Sequence, residues 1–271
     1  KTRGDNIGFV PTMGYLHEGH LSLIRNSVDR CDRTVVSIFV NPTQFAPGED
    51  LDTYPHDPER DQQLLSNLKV DAVFLPEAKE IYPDHFRTFV NVEEISSHLC
   101  GKSRPGLFRG VTTIVLKLFH IVQPDVTFFG EKDRQQLEVI RRMTLDLNLD
   151  IEIADLPIVR ESDGLAKSSR NAYLNVEERL SAQSLSQALE SGKTLILNGE
   201  QSAETVRRHM REIIESEKGA RVDYISVCDP KLFTELQVIE ESAVLALAVH
   251  IGKTRLIDNC LVERKLCNES C

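Results

Sequence analysis

The chain has 271 residues, of which 27% are charged, and its formal net charge is −10 at pH 7. This length can bury one large hydrophobic core or two modest ones, and the composition is that of an ordinary globular protein. The net negative charge argues against a nucleic-acid partner, which usually requires a basic face. No apolar stretch is long enough to predict a membrane span, so we expect neither nucleic acid nor membrane as a partner.

The six cysteines predict free thiols in a reducing compartment. They are spread thinly along the chain and include no C-x-x-C pair, which argues against a disulfide framework. They are Cys31, Cys100, Cys228, Cys260, Cys267 and Cys271. We therefore expect a cytoplasmic protein. Because the sequence opens at Lys1, almost directly before the first predicted strand, organellar targeting by an upstream segment stays open.

The stretch FVPTMGYLHEGHL, from Phe9 to Leu21, predicts a turn from a strand into a helix. The apolar run from Ile7 to Val10 is typical of a buried strand, which Pro11 and Gly14 bring to an end. Apolar residues then follow at helical spacing. In an open α/β sheet such turns bind ligands, because a helix N-terminus offers unpaired N–H donors to an anion.

His17 and His20 lie in this turn, three residues apart and so on one side of a first helical turn. Gly19 between them has no side chain, so that a flat ligand could lie against the backbone. Three interpretations stay open: two solvated histidines in an ordinary turn, a zinc site, or a phosphate site. The zinc interpretation has no third ligand at a recognisable spacing, and the phosphate interpretation needs support from the rest of the chain.

Alternating strands and helices in the first part of the chain predict a doubly wound parallel sheet of the Rossmann type. After the first helix, strands are expected at Thr34–Val40, Asp71–Leu75, Thr88–Val92 and Asp125–Phe129, and helices at Asp57–Leu68 and Val111–Val122. Two long helices, at 177–198 and 202–218, then precede strands at Arg221–Val227, Ala243–Val249 and Arg255–Ile257. We expect a first domain at 1–158 and a smaller α+β domain at 159–271.

Polar residues follow two of these strands. Asn41 and Gln44 come after the strand that begins at Thr34, and Lys132 and Asp133 come after the strand that ends at Phe129. The carboxyl ends of parallel strands form the ligand-binding edge. Asn41 is more often a turn residue than a ligand, whereas the Gln44 amide can both donate and accept.

Two further loops are basic. One joins Gly101–Gly106 to Phe108–Gly110 and carries three cations, which form either a solvated loop or an anion clamp. The other, residues 163–171, combines two serines with Arg170; it is able to wrap a triphosphate and is also typical of a linker between domains.

Together these segments resemble the pantothenate synthetases, or pantoate–β-alanine ligases, of the H-x-G-H nucleotidyltransferase superfamily. Five blocks occur in the family's order: PTMGYLHEGH, NPTQF, GKSRPGLFRG, GEKDRQQL and DGLAKSSRN. The closing RLIDN, at Arg255 to Asn259, is also typical, so the resemblance covers essentially the whole chain.

The resemblance implies a Rossmann-like domain that carries the site and a C-terminal domain that acts as a lid. It implies a ligase that joins an acid to an amino acid and releases AMP and pyrophosphate. Pantoate attacks the α-phosphate of Mg²⁺-bound ATP to give pantoyl adenylate, and β-alanine then displaces AMP. A homodimer is also implied, with Mg²⁺ bound to ATP and with no protein metal site.

The resemblance also assigns residues to roles. His20, His17, Lys132 and Arg170 are the expected catalytic residues, and Gln44, Gln136, Asn41 and Arg104 are the expected substrate-binding residues. ATP binding is expected of Pro11, Met13, Gly14, His17, Gly19, His20, Gly130, Glu131, Lys132, Asp133, Val159, Lys167, Ser168, Ser169 and Arg170.

Four residues depart from the family's pattern. Lys167 stands where methionine or leucine is common, and Arg134 where an aromatic residue is usual. Cys100 and Leu107 replace an acid and a histidine that many bacterial members carry. These departures bear on the contacts to β-alanine and pyrophosphate. The rival interpretations are another H-x-G-H nucleotidyltransferase acting on a small anionic substrate, or a catalytically silent nucleotide-binding protein of the same fold.

Overall fold

The structure is a computed structural model that describes residues 4–264, and its contacts divide this range into two units. The first unit contains the residues up to 97 together with 104–159 and 167–169. The second contains 98–103, 160–166 and the residues from 170 onward. The predicted split of roles, with a nucleotide-binding domain at 1–158 and a lid at 159–271, stays a prediction.

The first unit is built on a parallel sheet of five strands in the order β3-β2-β1-β4-β5. The strands are β1 (Ile7–Thr12), β2 (Arg33–Ile38), β3 (Ala72–Phe74), β4 (Val126–Gly130) and β5 (Glu152–Leu156). Runs such as VVSI and VTFF are largely apolar because a parallel sheet is covered on both faces. This sheet confirms the predicted Rossmann-like α/β class.

The order in which the chain adds parallel strands to the sheet reverses at β1. From β1 it runs outward through β2 to β3 on one side, and later through β4 to β5 on the other. The boundary between β1 and β4 is therefore the switch point of the sheet, where open α/β folds bind their ligands.

Five helices belong to the first unit. They are α1 (Glu18–Arg30), α2 (Pro58–Asn67), α3 (Ala78–Ile81), α5 (Leu107–Val122) and α6 (Arg134–Asp146). Leu23 and Ile24 of α1 and Leu65 of α2 share one hydrophobic cluster with Val10 and Val36 of the sheet. The spacing of these apolar residues is what predicted α1 and α2.

Two sequence-based predictions between β3 and α5 are wrong. Residues 88–92 form no strand, because the backbone of Val90 bonds to α5 instead: its N–H donates to Thr113 Oγ1 and its carbonyl accepts from Thr112 Oγ1. The basic loop is largely helical, since a short helix α4 (Leu99–Ser103) precedes α5, and α5 begins four residues earlier than expected. Gly106, with φ of 92°, makes the turn before α5.

The second unit is a small α+β fold, as predicted. Besides α4, it contains α7 (Val176–Leu197), α8 (Ala203–Glu215), β6 (Ala220–Cys228), β7 (Ser242–Ile251) and β8 (Thr254–Glu263). The three strands form an antiparallel sheet in the order β6-β7-β8, and apolar residues of α7 and α8 share its core. The strand β8 runs well past the predicted Arg255–Ile257 because it pairs with β7 along its whole length, from Thr254 opposite Ile251 to Glu263 opposite Ser242.

Residues 160–166 are held within the second unit by charged contacts. Arg160 pairs with the buried carboxylate of Asp258 through two nitrogens, at 2.6 and 3.0 Å. Arg179 of α7 contacts both Glu161 and Asp163. The aspartate of the RLIDN block therefore anchors the start of the segment that leads to the predicted phosphate loop.

Cys31, Cys100, Cys228 and Cys260 are free thiols, as predicted, and Cys267 and Cys271 lie outside the described residues. In the part of the chain that the structure describes, no helix has both the length and the apolar character needed to span a bilayer.

Candidate active site

The predicted ligand-binding segments of the first unit follow the carboxyl ends of its strands. The histidine turn follows β1, the segment from Asn41 to Gln44 follows β2, and the segment from Glu131 to Asp133 follows β4. Pro11 lies near the end of β1, and Met13 and Gly14 form the turn that follows. The strand order places the ends of β1 and β4 side by side, so that the two predicted nucleotide segments meet at the switch point.

His17 and His20 form a stacked pair at the start of α1. Their ring centroids lie 4.0 Å apart, and the rings are tilted by 30°. His17 is the N-cap residue with extended backbone, and so precedes the helix rather than lying in its first turn. Its Nδ1 accepts from the N–H of Gly19 at 3.2 Å, and its own N–H donates to Nδ1 of His20 at 3.3 Å.

These two hydrogen bonds determine what each ring can offer to a ligand. A neutral imidazole whose Nδ1 accepts a hydrogen bond carries its proton on Nε2. Burial lowers the pKa of His17 to about 2, and the charges of His20, Lys132, Lys167 and Arg60 act in the same direction. Burial also lowers the pKa of His20 to about 4, although Asp133 opposes the shift. Both rings are therefore neutral near pH 7, and each presents an Nε2–H donor.

The electrostatic effects on the histidines show which charged groups surround them. Lys132 acts on both rings, Asp133 acts on His20, and Lys167 acts on His17. Lys132 Nζ lies 3.7 Å from the Asp133 carboxylate. The structure thus brings together the residues after β1, the residues after β4 and the first residue of the segment 167–169. This excess of positive charge around two neutral donors suits a polyphosphate.

Gly19 is required by the position of the His17 ring. A Cβ at Gly19 would lie 2.9 Å from Cε1 and 3.0 Å from Nδ1 of His17. The expected open surface for a flat ligand is therefore partly covered by the imidazole of His17. The Cβ of Lys167 is also near, at 3.8 Å from the same point.

Asn41 organises the segment that follows β2. Its Nδ2 donates to Gln44 Oε1 at 2.9 Å and to the carbonyl of Gly110 at 3.2 Å, while its Oδ1 accepts from Thr43 and from the hydroxyl of Tyr82. Asn41 is 1% exposed. It therefore orients Gln44, whose NH₂ group is the part of the amide that this contact does not use.

Sequence reasoning missed two residues of this region. Tyr82 donates to Asn41 Oδ1 at 2.8 Å, and Asp61 of α2 accepts from the backbone that precedes His17. Neither residue stands in a motif, because each reaches the site across the fold from a helix or helix end. A buried aspartate within a polar helix gives no signal of its own in a single sequence.

Two of the basic residues before and within α5, for which a solvated loop and an anion clamp were both left open, contact other groups of the protein. Arg104 donates through Nε to Glu49 at 2.7 Å and through Nη2 to the carbonyl of Gln44 at 3.0 Å. The guanidinium of Arg109 stacks on Phe89, with its carbon 3.5 Å from the ring centroid. Arg104 is thus committed to holding the backbone of Gln44.

The remaining predicted residues lie on α6 and around the segment that follows β5. Gln136 of α6 is half-buried, whereas its neighbour Gln135 is buried and donates to the carbonyl of Ile95. The N–H of Lys167 donates to the carbonyl of Val159 at 2.9 Å. Ser169 Oγ donates to the carbonyl of Tyr15 at 3.4 Å, which connects this segment to the histidine turn.

Ser168 belongs to the first unit and Arg170 to the second. Their predicted contacts to ATP stay predictions. Among the four departures from the family's pattern, Arg134 pairs with Glu131 at 2.6 Å, and Cys100 lies against the hydroxyl of Tyr224 at 3.1 Å. Leu107 is the first residue of α5.

Comparison with known proteins identifies the family. The family model described as pantoate-beta-alanine ligase matches residues 1–261. The chain is 54% identical over 263 residues to a curated pantothenate synthetase of Caldicellulosiruptor saccharolyticus, covering 97% of this chain and 94% of that protein. It is 55% identical over 263 residues to the pantothenate synthetase of Acetivibrio thermocellus, with the same two coverages.

Solved structures of the same family have the same fold. The pantothenate synthetase of Thermus thermophilus aligns with a TM-score of 0.91 at 43% identity, over 94% of this chain and 92% of that one. The Francisella tularensis pantoate-beta-alanine ligase, solved as a complex with beta-gamma ATP and beta-alanine, aligns with a TM-score of 0.78 at 38% identity. That alignment covers 96% of this chain and 90% of the other. By its sequence and by its fold, the chain belongs to the pantoate–β-alanine ligase family.

Proposed function

We propose that the chain condenses pantoate with β-alanine to pantothenate through a pantoyl adenylate, consuming ATP and releasing AMP and pyrophosphate. The observation that carries this proposal is the pair of neutral histidines at the start of α1, each with an Nε2–H donor and both beside Lys132. Membership of the family and the ligands named for the Francisella tularensis relative support the choice of substrates.

In the first step, a carboxylate oxygen of pantoate attacks the α-phosphorus of ATP and pyrophosphate leaves. Negative charge develops on the phosphate oxygens, and donors that are already in place stabilise this charge without reorganising. The Nε2–H groups of His17 and His20 supply such donors, and Lys132 and Lys167 supply positive charge. The protein contributes no nucleophile, so catalysis rests on positioning and electrostatic stabilisation.

In the second step, the amine of β-alanine attacks the carbonyl carbon of pantoyl adenylate and AMP leaves. We propose that the amides of Gln44 and Gln136 hold pantoate during both steps. Asn41 and Arg104 then serve pantoate indirectly, because they hold the side chain and the backbone carbonyl of Gln44. The adenylate is a mixed anhydride that water hydrolyses, which is why we also propose that the C-terminal domain closes as a lid.

We further propose that the nucleotide contacts the residues that the resemblance assigns. Those outside the histidine pair are Pro11, Met13, Gly14, Gly19, Gly130, Glu131, Lys132, Asp133, Val159, Lys167, Ser168, Ser169 and Arg170. The position of β1 and β4 at the switch point supports this set for the residues that follow these two strands.

Mg²⁺ is the divalent ion that we propose for the reaction. Within residues 4–264 no group of three or more histidine, cysteine, aspartate or glutamate side chains is arranged to hold a metal ion. The donor set fits an ion that reaches the site on ATP, because Mg²⁺ commonly combines substrate phosphates with one or two carboxylates, and Asp133 is the carboxylate that acts on His20. When bound, the ion would neutralise phosphate charge. A homodimer and a cytoplasmic location are proposed from the resemblance and the free thiols.

The test is ATP–pyrophosphate exchange with pantoate present and β-alanine absent. We expect exchange that depends on pantoate and on Mg²⁺, because the adenylate forms before the amine reacts. The control omits pantoate and is expected to give only background exchange. An enzyme that produces pantothenate but shows no exchange under these conditions would rule out the adenylate route.

A further inference from the structure

Asp61 places a buried carboxylate behind the turn that leads to the histidine pair. It lies on α2 and is 0% exposed. Its Oδ2 accepts from the N–H of Tyr15 and its Oδ1 from the N–H of Leu16, both at 2.7 Å. One side chain thus satisfies two consecutive backbone donors immediately before His17.

Both oxygens of this carboxylate are matched to donors. A buried charge is unfavourable unless it is paired or hydrogen-bonded, and an ionised carboxylate is an acceptor only. The two N–H groups meet this requirement, and the guanidinium of Arg60 lies 3.8 Å away. An amide in the same place would turn its NH₂ group toward one of the backbone donors, since it has a single acceptor oxygen.

The backbone that Asp61 holds is an unusual turn. Gly14 has φ of 81° and Tyr15 has φ of 49°, so two consecutive residues are left-handed. A Cβ at Gly14 would lie 2.9 Å from Ile38 Cγ2 and 3.2 Å from Asp61 Oδ2. The turn therefore packs closely against the end of β2 and against the carboxylate. The hydrogen bonds to Asp61 compensate for the conformational cost of the left-handed backbone at Gly14 and Tyr15.

A second side chain of α2 completes the attachment. Arg60 Nη1 donates to the carbonyl of Leu16 at 2.9 Å, and its guanidinium lies over the ring of Tyr15. Leu16 is thus held through both its N–H and its carbonyl. The next residue, His17, caps α1 and orients His20 through its own N–H.

We propose that Asp61 is a positioning residue for the histidine pair, holding the backbone of Tyr15 and Leu16 so that the Nε2–H groups of His17 and His20 point to the phosphate site. This inference rests on the proposed function for the direction in which the histidines act. Its geometric part, the control of ring orientation and tautomer by a carboxylate on another helix, stands independently.

The test compares Asp61→Asn with Asp71→Asn. Asp71 also accepts from a backbone N–H, that of Thr34 at 2.8 Å, and pairs with Arg33. It lies at the amino ends of β2 and β3, whereas the candidate site follows the carboxyl ends of the strands. We expect kcat for pyrophosphate exchange to fall roughly 10- to 100-fold in Asp61→Asn. In the control, kcat should stay at the parent value, even where stability decreases.

Two-bond ¹H–¹⁵N correlation spectra of the histidine rings provide a readout that general destabilisation does not produce. At pH 7.5 the parent should show His17 and His20 with the proton on Nε2, and Asp61→Asn should show mixed tautomers at both. Arg60→Met serves as a milder second variant, because Arg60 is half-exposed and both hydrogen bonds of Asp61 remain. Its loss removes the contact to the Leu16 carbonyl, the cation–π contact with Tyr15 and one positive charge that acts on His17. It should shift the same two histidines by a smaller amount.

Unchanged tautomers and parental kcat in a folded Asp61→Asn would overturn the proposal. If that variant does not fold, unchanged histidine signals in Arg60→Met overturn it. A parent enzyme without pyrophosphate exchange contradicts the proposed function, while the histidine spectra still decide the role of Asp61.

Discussion

The backbone N–H of His17 donates to Nδ1 of His20, 3.3 Å away, so the first histidine of the motif determines the tautomer of the second. The ring of His17 is oriented in turn by the N–H of Gly19. The three-residue spacing of the motif follows from this geometry, because an N-cap residue and the third residue of its helix lie face to face in a capping box. Here imidazoles take the places that serine and glutamate usually occupy.

Replacing His20 by Ala should lower kcat for pyrophosphate exchange by roughly 100- to 1,000-fold, the usual effect of removing one transition-state donor. The fold should persist, because His20 lies in the first turn of α1 and is not part of the hydrophobic core. His120→Ala is the matched control, since His120 is exposed at the end of α5. Near-parental turnover in His20→Ala, with the control unaffected, would move the catalytic role to another residue.

The tautomer leads to a second prediction, which concerns the conservative variants of His20. A glutamine places its NH₂ group near the position of Nε2, whereas an asparagine reaches only as far as Nδ1. Because the donor required by the site is Nε2–H, His20→Gln should keep roughly tenfold more activity than His20→Asn. A difference of about this size is expected from the loss of one charge-assisted hydrogen bond. Steady-state kinetics at pH 8, with circular dichroism to verify folding, decides this. Equal residual activities would contradict the assigned tautomer.

The part of the fold that sequence reasoning predicted is the part determined by local patterns. Apolar runs identified β1, β2 and β4, and their alternation with helices identified the parallel sheet. Parallel strands share one carboxyl edge, so the residues that follow β1, β2 and β4 could be assigned to one site before any coordinates were known.

What could not be predicted depends on contacts between segments distant in the chain. The pairing of Arg104 with Glu49 joins residues 55 apart, and the bonds from Asp61 to Tyr15 and Leu16 join residues 46 and 45 apart. No periodicity in a single sequence reports such contacts. The segment 88–92 has the composition of a strand, but its backbone bonds to the side chains of α5 instead of another strand.

The low pKa values of the histidine pair predict how stability depends on pH. The unfolded chain protonates histidine near 6.5, whereas the folded chain does so at about 4 for His20 and about 2 for His17. Between these values the unfolded state binds more protons, so the stability present above pH 6.5 is lost as the pH falls toward 4. Urea unfolding at pH 7, 6 and 5 should show this loss, on the order of 1 kcal/mol per pH unit.

The control for this pH dependence is the double variant His17→Gln/His20→Gln, which lacks both titrating rings. Its stability should fall less between pH 7 and pH 5 than that of the parent, while His120→Gln should follow the parent. Parallel pH profiles for the parent and the double variant would show that other groups cause the acid sensitivity.

Gly110 packs against the segment from Asn41 to Gln44, so a larger residue at position 110 should displace that segment. A Cβ there would lie 2.4 Å from the carbonyl oxygen of Thr43, a backbone atom that cannot rotate away. Gly110→Ala should therefore lower the free energy of unfolding by about 1–3 kcal/mol and raise KM for pantoate, because the segment carrying Gln44 must shift. Gly130→Ala is the stability control, since its added Cβ meets nothing within 4 Å. Equal stabilities in urea would contradict the predicted clash.

Among the four residues that depart from the family's pattern, Lys167 is the one whose charge acts on His17. Its charge contributes to the low pKa of His17, and its Cβ lies 3.8 Å from the position that a Cβ of Gly19 would take. A methionine or leucine in this place would add no charge beside the phosphates.

We expect Lys167→Met to weaken ATP binding modestly, and by more at low than at high ionic strength. The attraction between a lysine and phosphate is screened by salt over roughly 10 Å at 0.1 M, so an electrostatic contribution must shrink as salt rises. The same substitution should raise the pKa of His17, because one of the charges that lowers it is removed. Calorimetric titration with ATP at 20 mM and 300 mM salt measures the first effect, and histidine NMR measures the second.

The control is Lys117→Met, which also removes one lysine charge. Lys117 of α5 contacts the rings of Tyr82 and Phe86 and is not among the charges that act on His17, so this variant should bind ATP like the parent at both salt concentrations. If Lys167→Met binds ATP with parental affinity at both salt concentrations, Lys167 makes no contribution to phosphate binding.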